Sequence, residues 1–104
     1  DGTTRRDYTY VDDIVQGALA AIDRVKGYRI YNLGESRTVE LRELIRILGD
    51  ALGVAPRIER QPTQPGDVER TYADVSRARA ELGYAPQTPI EEGIRRFVAW
   101  LRAP

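Results

Sequence analysis

The sequence predicts an α/β chain of mixed α+β character, a fragment whose strands belong to a larger sheet. Three observations predict it. Extended and amphipathic segments alternate with short connections, in the order β-α-β-α-β-loop-β-α-α. The chain has only 104 residues, room for one small domain at most. Finally, its first two extended segments are joined by a helix, which reads as a parallel strand pair. Parallel strands are usually buried on both faces, and so short a chain has too few helices to cover both. The first β-α-β piece is therefore expected to complete a sheet supplied by sequence outside these residues.

The elements follow from local chemistry. After the turn-like Asp1-Gly2-Thr3, the residues Arg6 to Val11 are β-prone. Asp12 or Asp13 can cap a helix running to about Val25, with Ile14, Val15, Leu19, Ile22 and Val25 at helical spacing and Gly27 closing it. Tyr28 to Leu33 reads as a strand ending in the polar turn Gly34-Glu35-Ser36. Thr38 can cap a second helix carrying Val39, Leu41, Leu44, Ile45, Leu48 and Leu52, stopped by Gly53.

Arg57 to Gln61 suggests a short strand, and Pro62 to Asp67, with two Pro and one Gly, is the clear loop. Tyr72-Ala73 returns to extended structure, and Asp74 can cap a short helix over Val75 to Leu82 that stops at Gly83. The last helix is the best specified. Thr88 is placed as N-cap, Pro89 as first helical residue and Glu91 as capping-box partner, with Ile90, Ile94, Phe97, Val98 and Leu101 on one face.

Composition removes several classes of chemistry. There is no Cys and no His, hence no disulfide framework, thiol nucleophile, imidazole base or usual zinc site. Sixteen basic residues balance sixteen acidic ones, which argues against a dedicated nucleic-acid binder. No apolar run approaches the roughly 20 residues that cross a bilayer, so no membrane partner is expected. The expected setting is the cytoplasm. The chain has no Met and opens on Asp1, which points to a fragment or a processed chain. Fifteen of the sixteen basic residues are Arg, as a coding bias would give, although Arg also offers bidentate contacts to phosphate.

The carboxylates do not assemble a catalytic centre in the sequence. Asp12-Asp13 and Glu91-Glu92 are adjacent pairs explained by helix starts, where negative charge complements the helix dipole. Asp67 with Asp74 lacks a geometric case for magnesium, and no metal site is expected. Neither G-x-G-x-x-G nor G-x-x-x-x-G-K-[ST] occurs. Two segments suit binding instead. Arg5-Arg6 places two guanidinium groups at a loop-to-strand junction, where a diphosphate could be held or where they could be solvated surface charges. The loop Gln64-Pro65-Gly66-Asp67 offers an amide and a carboxylate to a polyol such as ribose, or is an ordinary surface turn.

At these segments the chain resembles a known family. Gly2 to Ile14, with its Arg6-Asp7-Tyr8-Thr9-Tyr10-Val11 centre, is similar to a segment of the extended short-chain dehydrogenase/reductases that act on sugar nucleotides as epimerases and dehydratases. Tyr31-Asn32-Leu33-Gly34, Gln64-Pro65-Gly66-Asp67-Val68, Tyr72-Ala73-Asp74-Val75-Ser76 and Leu82-Gly83-Tyr84-Ala85-Pro86 followed by Ile90-Glu91-Glu92-Gly93-Ile94 match in order. The wording is most similar to the UDP-glucuronate 4-epimerase branch. The resemblance covers the whole chain but only the C-terminal portion of such an enzyme.

It implies a fold and a set of roles. The chain would be the C-terminal substrate-binding part of an extended Rossmann enzyme: residues 1–53 would adjoin the missing Rossmann sheet and 54–104 would form a sugar-nucleotide-binding subdomain. Arg6 would bind the diphosphate, Asp67 would accept hydrogen bonds from the ribose hydroxyls, and Gln64 stands where many relatives carry a second phosphate-binding Arg. Arg70 is a further cation nearby without a role. The family's glycine-rich NAD motif, Tyr-x-x-x-Lys pair and catalytic Ser/Thr would lie upstream of Asp1. NAD would serve the intact enzyme in hydride transfer at C4 of the sugar, and the fragment itself would bind none. The implied partners are a UDP- or dTDP-sugar, the missing Rossmann domain and a second copy in a homo-oligomer. A contrasting expectation is a non-catalytic module that self-associates through exposed strand edges; a free sugar-nucleotide binder is a third.

Overall fold

In the computed structural model, which describes residues 2–24, 26–62 and 64–104, four helices surround a small strand pair. They are β1 (Arg5–Arg6), α1 (Val11–Arg24), β2 (Val39–Glu40), α2 (Leu41–Leu52), α3 (Ser76–Leu82) and α4 (Ile90–Arg102). This is the expected mixed α/β character. β1 pairs antiparallel with β2, Arg5 opposite Glu40 and Arg6 opposite Val39. Its other edge meets Arg70 in a parallel bridge, with Arg5 N–H donating to Glu69 O at 2.7 Å and Thr71 N–H to Arg5 O at 3.0 Å. β1 is therefore the middle rail between two segments distant in sequence.

The body is a plate measuring 48 × 38 × 18 Å, with a radius of gyration of 16.2 Å against about 13 Å for a round domain of this length. Two small cores hold it. In one, α1 packs on α3 around Val75, Ala78, Leu82 and Tyr84, with Ala20, Ala21, Tyr31 and Leu33 at the margin. In the other, α2 packs on α4 around Val39, Ile47 and Ile90, with Tyr8, Leu44 and Ile94 beside them.

α1 uses its faces in an unexpected way. The bulky stripe read from periodicity does not enter the core: Leu19 is 57% and Ile22 75% exposed, with Val15 also exposed. The helix instead turns its small residues inward. A Cβ on Gly17 would sit 2.6 Å from Leu33 Cδ2, so any larger residue there would force the Leu33 side chain to move. The helix begins at Val11, and Val25, its expected end, lies outside the described residues, as do Asp1 and Thr63.

Other expectations are corrected in detail. The β-prone run from Arg6 to Val11 yields strand only at Arg5–Arg6, because the side chain of Asp7 takes over the hydrogen bonding beyond it. Tyr28 to Leu33 and Arg57 to Gln61 carry no strand assignment. Thr38 does not cap α2: its hydroxyl accepts Arg5 Nε at 3.0 Å, and the helix starts after Glu40 without a side-chain cap. The first amides of α2 donate instead to the chain start, Leu41 N to Thr4 O and Arg42 N to Gly2 O, both 2.9 Å.

Thr88 does not cap α4 either; its own N–H donates to Asp13, and Glu91 pairs with Arg37 at 3.0 Å. Asp12 and Asp13 stand inside α1, and Asp13 serves a distant segment as described below. Asp74 accepts Ser76 N–H at 3.0 Å in the turn before α3, but the helix starts at Ser76 and its N-cap is Val75, which carries no side-chain cap bond. Gly53 and Gly83 close α2 and α3 in the left-handed conformation, at φ 72° and 66°.

The parts are joined by carboxylates and one phenol. Asp7 Oδ1 accepts Glu35 N–H at 3.1 Å, and Oδ2 accepts Ser36 N–H at 3.0 Å and Ala73 N–H at 3.1 Å. Tyr84, 1% exposed, donates its hydroxyl to Gly34 O at 3.0 Å. Replacing Asp7→Asn puts an amide NH2 against backbone donors, and we expect urea denaturation to show a loss of about 2–3 kcal/mol. Tyr84→Phe should cost about 1 kcal/mol by the same measurement, the value of one buried hydrogen bond.

Candidate functional site

The sequence-derived binding residues fall on or next to β1. A cleft of about 490 Å³ opens beside it, lined by Thr3, Thr4, Leu41, Gln61, Pro62, Gln64, Asp67, Val68 and Glu69. Its floor is built by the pairings already described: the start of α2 donates to Gly2 O and Thr4 O, and Glu69 O accepts from Arg5 N. Its rim is the proline-bearing loop, closed by Asp67 N–H donating to Gln64 O at 3.2 Å, with Gly66 at φ 88° between them. The local sequence dictates this turn, since Pro65 fixes one position and Gly66 takes a conformation that side chains avoid.

Gln64 and Asp67 are thus brought together on one cleft. Their chemistry is that of hydroxyl recognition: a carboxylate accepts from a diol, and the amide both donates and accepts. The hydroxyl-bearing Thr3 and Thr4 also line the cleft. Asp67 and Glu69 also make the cleft acidic, so an anionic group would need a cation outside it. Arg6 is not among the lining residues but lies two positions along the chain from Thr4, about 7 Å of extended backbone.

The two arginines of the junction divide into different roles. Arg5 spends its guanidinium on the fold, donating through Nε to Thr38 Oγ1 at 3.0 Å, through Nη2 to Thr38 O at 3.1 Å, and through Nη1 to Glu40 Oε1 at 3.1 Å. Adjacent strand residues face opposite ways, so Arg6 is excluded from that network. Its guanidinium donates through Nη1 to Arg5 O at 3.0 Å, one of five available N–H groups. Arg70, opposite Arg5 across the parallel bridge, lies over the Tyr72 ring at 5.9 Å.

Among the described residues there is no group of three or more Asp and Glu able to hold a metal ion, and Asp74 is engaged by Ser76. No helix among them is long and apolar enough to cross a membrane. On α2 and α4 the surface charges form ion pairs along the helices. Arg46 lies between Glu43 and Asp50, and Glu92 receives Arg95 and Arg96.

Sequence reasoning missed the roles of Asp7 and Asp13. Asp13, 2% exposed, accepts Gln87 N–H at 3.0 Å and Thr88 N–H at 3.1 Å, and so holds the start of α4 against α1. The available signal was its place on the helix: a carboxylate in phase with Gly17, Ala20 and Ala21 belongs to the small, buried face.

Comparison with known proteins gives consistent likenesses. The sequence model described as GDP-mannose 4,6 dehydratase matches residues 1–97. UDP-glucuronate 4-epimerase 5 of Arabidopsis thaliana is 40% identical over 113 residues, covering 95% of this chain and 26% of that protein. UDP-glucuronate 4-epimerase of Thermodesulfobacterium geofontis is 39% identical over 101 residues, covering 96% and 31%. Among solved structures, MoeE5 in complex with UDP-glucuronic acid and NAD superposes with a TM-score of 0.93 at 31% identity, covering 98% of this chain and 34% of that one. UDP-glucose 4-epimerase of Thermotoga maritima with UDP-glucose gives 0.92 at 31% identity, covering 98% and 33%. The chain spans about a third of the length of the relatives it matches.

The division between the arginines is testable without ligand. Arg5→Ala should lower stability in urea by about 1–2 kcal/mol through the loss of its bonds to Thr38 and Glu40. Arg6→Ala should stay within about 0.5 kcal/mol of the parent.

Proposed function

Because the chain belongs to the GDP-mannose 4,6 dehydratase family of NAD-dependent nucleotide-sugar epimerases and dehydratases, we propose that it is the nucleotide-sugar-binding portion of such an enzyme. The observation that carries this reading is the placement of Gln64 and Asp67 on one cleft beside the strand that bears Arg6. In the proposed pose a UDP- or dTDP-sugar lays its ribose diol against the Asp67 carboxylate and its diphosphate on Arg6. Gln64 adds a neutral contact on the same rim. Residues 1–53 adjoin the Rossmann sheet and 54–104 form the sugar-nucleotide subdomain. The setting we propose is cytoplasmic.

NAD accompanies MoeE5, one of the solved relatives named above. In the proposal the dinucleotide is held by the Rossmann portion of the longer protein, and the contribution of these residues is to bind and orient the nucleotide sugar.

The exposed stripe of Leu19 and Ile22 on α1, with Tyr28 and Ile30 beyond it, favours a second feature of this reading. In the proposal that face is covered by the Rossmann portion of the longer protein. Left uncovered, it makes the chain self-associate, which is also how a non-catalytic interaction module would behave.

Two measurements separate these readings. In the longer protein, Arg6→Ala should weaken UDP binding in calorimetry by about 1.5–3 kcal/mol, as for a charge-assisted contact. Asp67→Asn should weaken UDP binding while leaving binding of inorganic pyrophosphate unchanged. Unaltered UDP affinity in both variants would falsify the assignment of the site. Sedimentation of the 104-residue chain should show concentration-dependent association that Leu19→Glu with Ile22→Glu abolishes, whereas a monomer at all concentrations removes the uncovered face from the account.

A further inference from the structure

One buried contact serves neither the cleft nor β1. The carboxyls of Glu35, on the turn after the Tyr28–Leu33 segment, and of Asp13, on α1, both meet the start of α4, Asp13 through Gln87 and Thr88 and Glu35 through the cavity it lines with Pro89 and Ile90. Each Asp13 oxygen already accepts a backbone N–H, Oδ1 from Gln87 and Oδ2 from Thr88. Glu35 Oε1 is buried and has no donor to accept from. Two ionised carboxylates repel each other, and a buried Glu35 oxygen without a donor is costly to ionise, so one of the two keeps its proton. The amides select Asp13 as the ionised member and leave the proton on Glu35.

The groups around the pair reinforce this assignment. Asp7 lies on the same side of the turn, its carboxylate held by Glu35 N–H and Ser36 N–H, and it adds negative charge. Tyr84, from the segment after α3, donates to Gly34 O and remains neutral. Arg96 on α4 acts on Asp13, and Arg37 acts on Glu35 from the next turn while ion-paired to Glu91. Tyr8 lines the same small cavity as Glu35. Burial, then the Asp13 hydrogen bond and charge, then Asp7 push Glu35 up to about 8. Burial also opposes ionisation of Asp13, but the bonds from Glu35, Gln87 and Thr88, with Arg96, outweigh it and hold that carboxyl below its ordinary range.

We propose that the proton shared between Glu35 and Asp13 is a pH-sensitive latch on the seat of α4, closed while Glu35 is protonated and released when it ionises. The route of release is built into the packing. A cavity of about 80 Å³ adjoins Glu35, bounded by Tyr8, Arg37, Val39, Pro89 and Ile90, and can admit water. An ionised Glu35 repelled by Asp13 turns into this cavity toward Arg37, competing with Glu91 in the first turn of α4. Both anchors of that helix start are thereby weakened: the Asp13 carboxylate on Gln87 and Thr88, and the Arg37–Glu91 pair.

The sign follows from which state keeps the proton. Unfolded Glu35 releases it near 4.5, whereas the folded chain holds it to about 8. Its contribution to stability is therefore full below about pH 4.5 and disappears progressively as pH rises to about 8. Asp13 has the opposite dependence, its contribution being lost only as pH falls below its ordinary range. The latch needs no bound nucleotide and stands independently of the function proposed above.

The test is carried out on the full 104-residue chain. Carbon-detected NMR of wild type should show the Glu35 carboxyl titrating at least two pH units above its ordinary value of 4.5. The melting temperature should fall by about 10–20 °C between pH 6 and pH 9, equivalent to about 2–3 kcal/mol for a domain of this size. Glu35→Gln, which keeps the protonated shape, should abolish that fall, whereas Glu59→Gln should preserve it. Amide exchange at Gln87 and Thr88, corrected for intrinsic base catalysis, should accelerate at least fivefold over the same range in wild type alone. A Glu35 carboxyl that titrates at its ordinary value, or a wild-type profile retained in Glu35→Gln, overturns the proposal. Should Glu35→Gln fail to fold, the wild-type titration and exchange rates decide alone.

Discussion

Everything else in this molecule depends on the Asp7 carboxylate. A plate 18 Å thick cannot hide a continuous apolar centre, and its two cores are small and separate. Asp7 gathers three backbone amides from two segments, Glu35 and Ser36 on one side and Ala73 on the other. A carboxylate that accepts several amide donors in partly buried surroundings forms strong, directional bonds. Its position immediately after β1 matters as much as its charge, because the same short stretch pairs with Val39–Glu40 and with the Glu69–Thr71 backbone. Register on the strand and attachment of the turn are thus set within three residues.

The cleft inherits its shape from that arrangement. Its floor is backbone fixed by β1, and its rim is a turn stiffened by Pro65 and made possible by Gly66. Arg5 and Arg6 show how adjacent, chemically identical residues acquire different duties. One is satisfied by Thr38 and Glu40 and holds the fold together, while its neighbour faces the other way with most of its donors uncommitted to that network. In the proposed pose the acidity of Asp67 and Glu69 complements this division, suiting hydroxyl groups within the cleft and leaving the diphosphate to the arginine beyond it.

Legibility in the sequence followed the range of the interaction. Helix ends set by glycine were readable at Gly53 and Gly83, and so was the Asp74 turn before α3, because each depends on residues within one or two turns. The family resemblance and the pairing of Gln64 with Asp67 on one loop were also readable. Caps assigned to Thr38 and Thr88 were not realised, because distant partners claimed those groups: Arg5 took the Thr38 hydroxyl, and Asp13 took the Thr88 amide. The strand expected over Tyr28 to Leu33 is absent for a related reason. Strand character is a property of pairs, and a β-prone segment without a neighbour is only extended chain. Periodicity likewise located the apolar stripe of α1 but not which side of the helix the body would use.

That choice of side gives the helix two surfaces of different character. Gly17, Ala20 and Ala21 face the α3 core, where added volume meets Leu33 and its neighbours, while Leu19 and Ile22 on the opposite side touch little of this structure. Small residues on one side answer to the packing of these 104 residues. Large apolar residues on the other contribute nothing to that packing and leave oily surface facing water. In the proposed reading the helix is a party wall, and covering its far side contributes stability that these residues cannot supply alone.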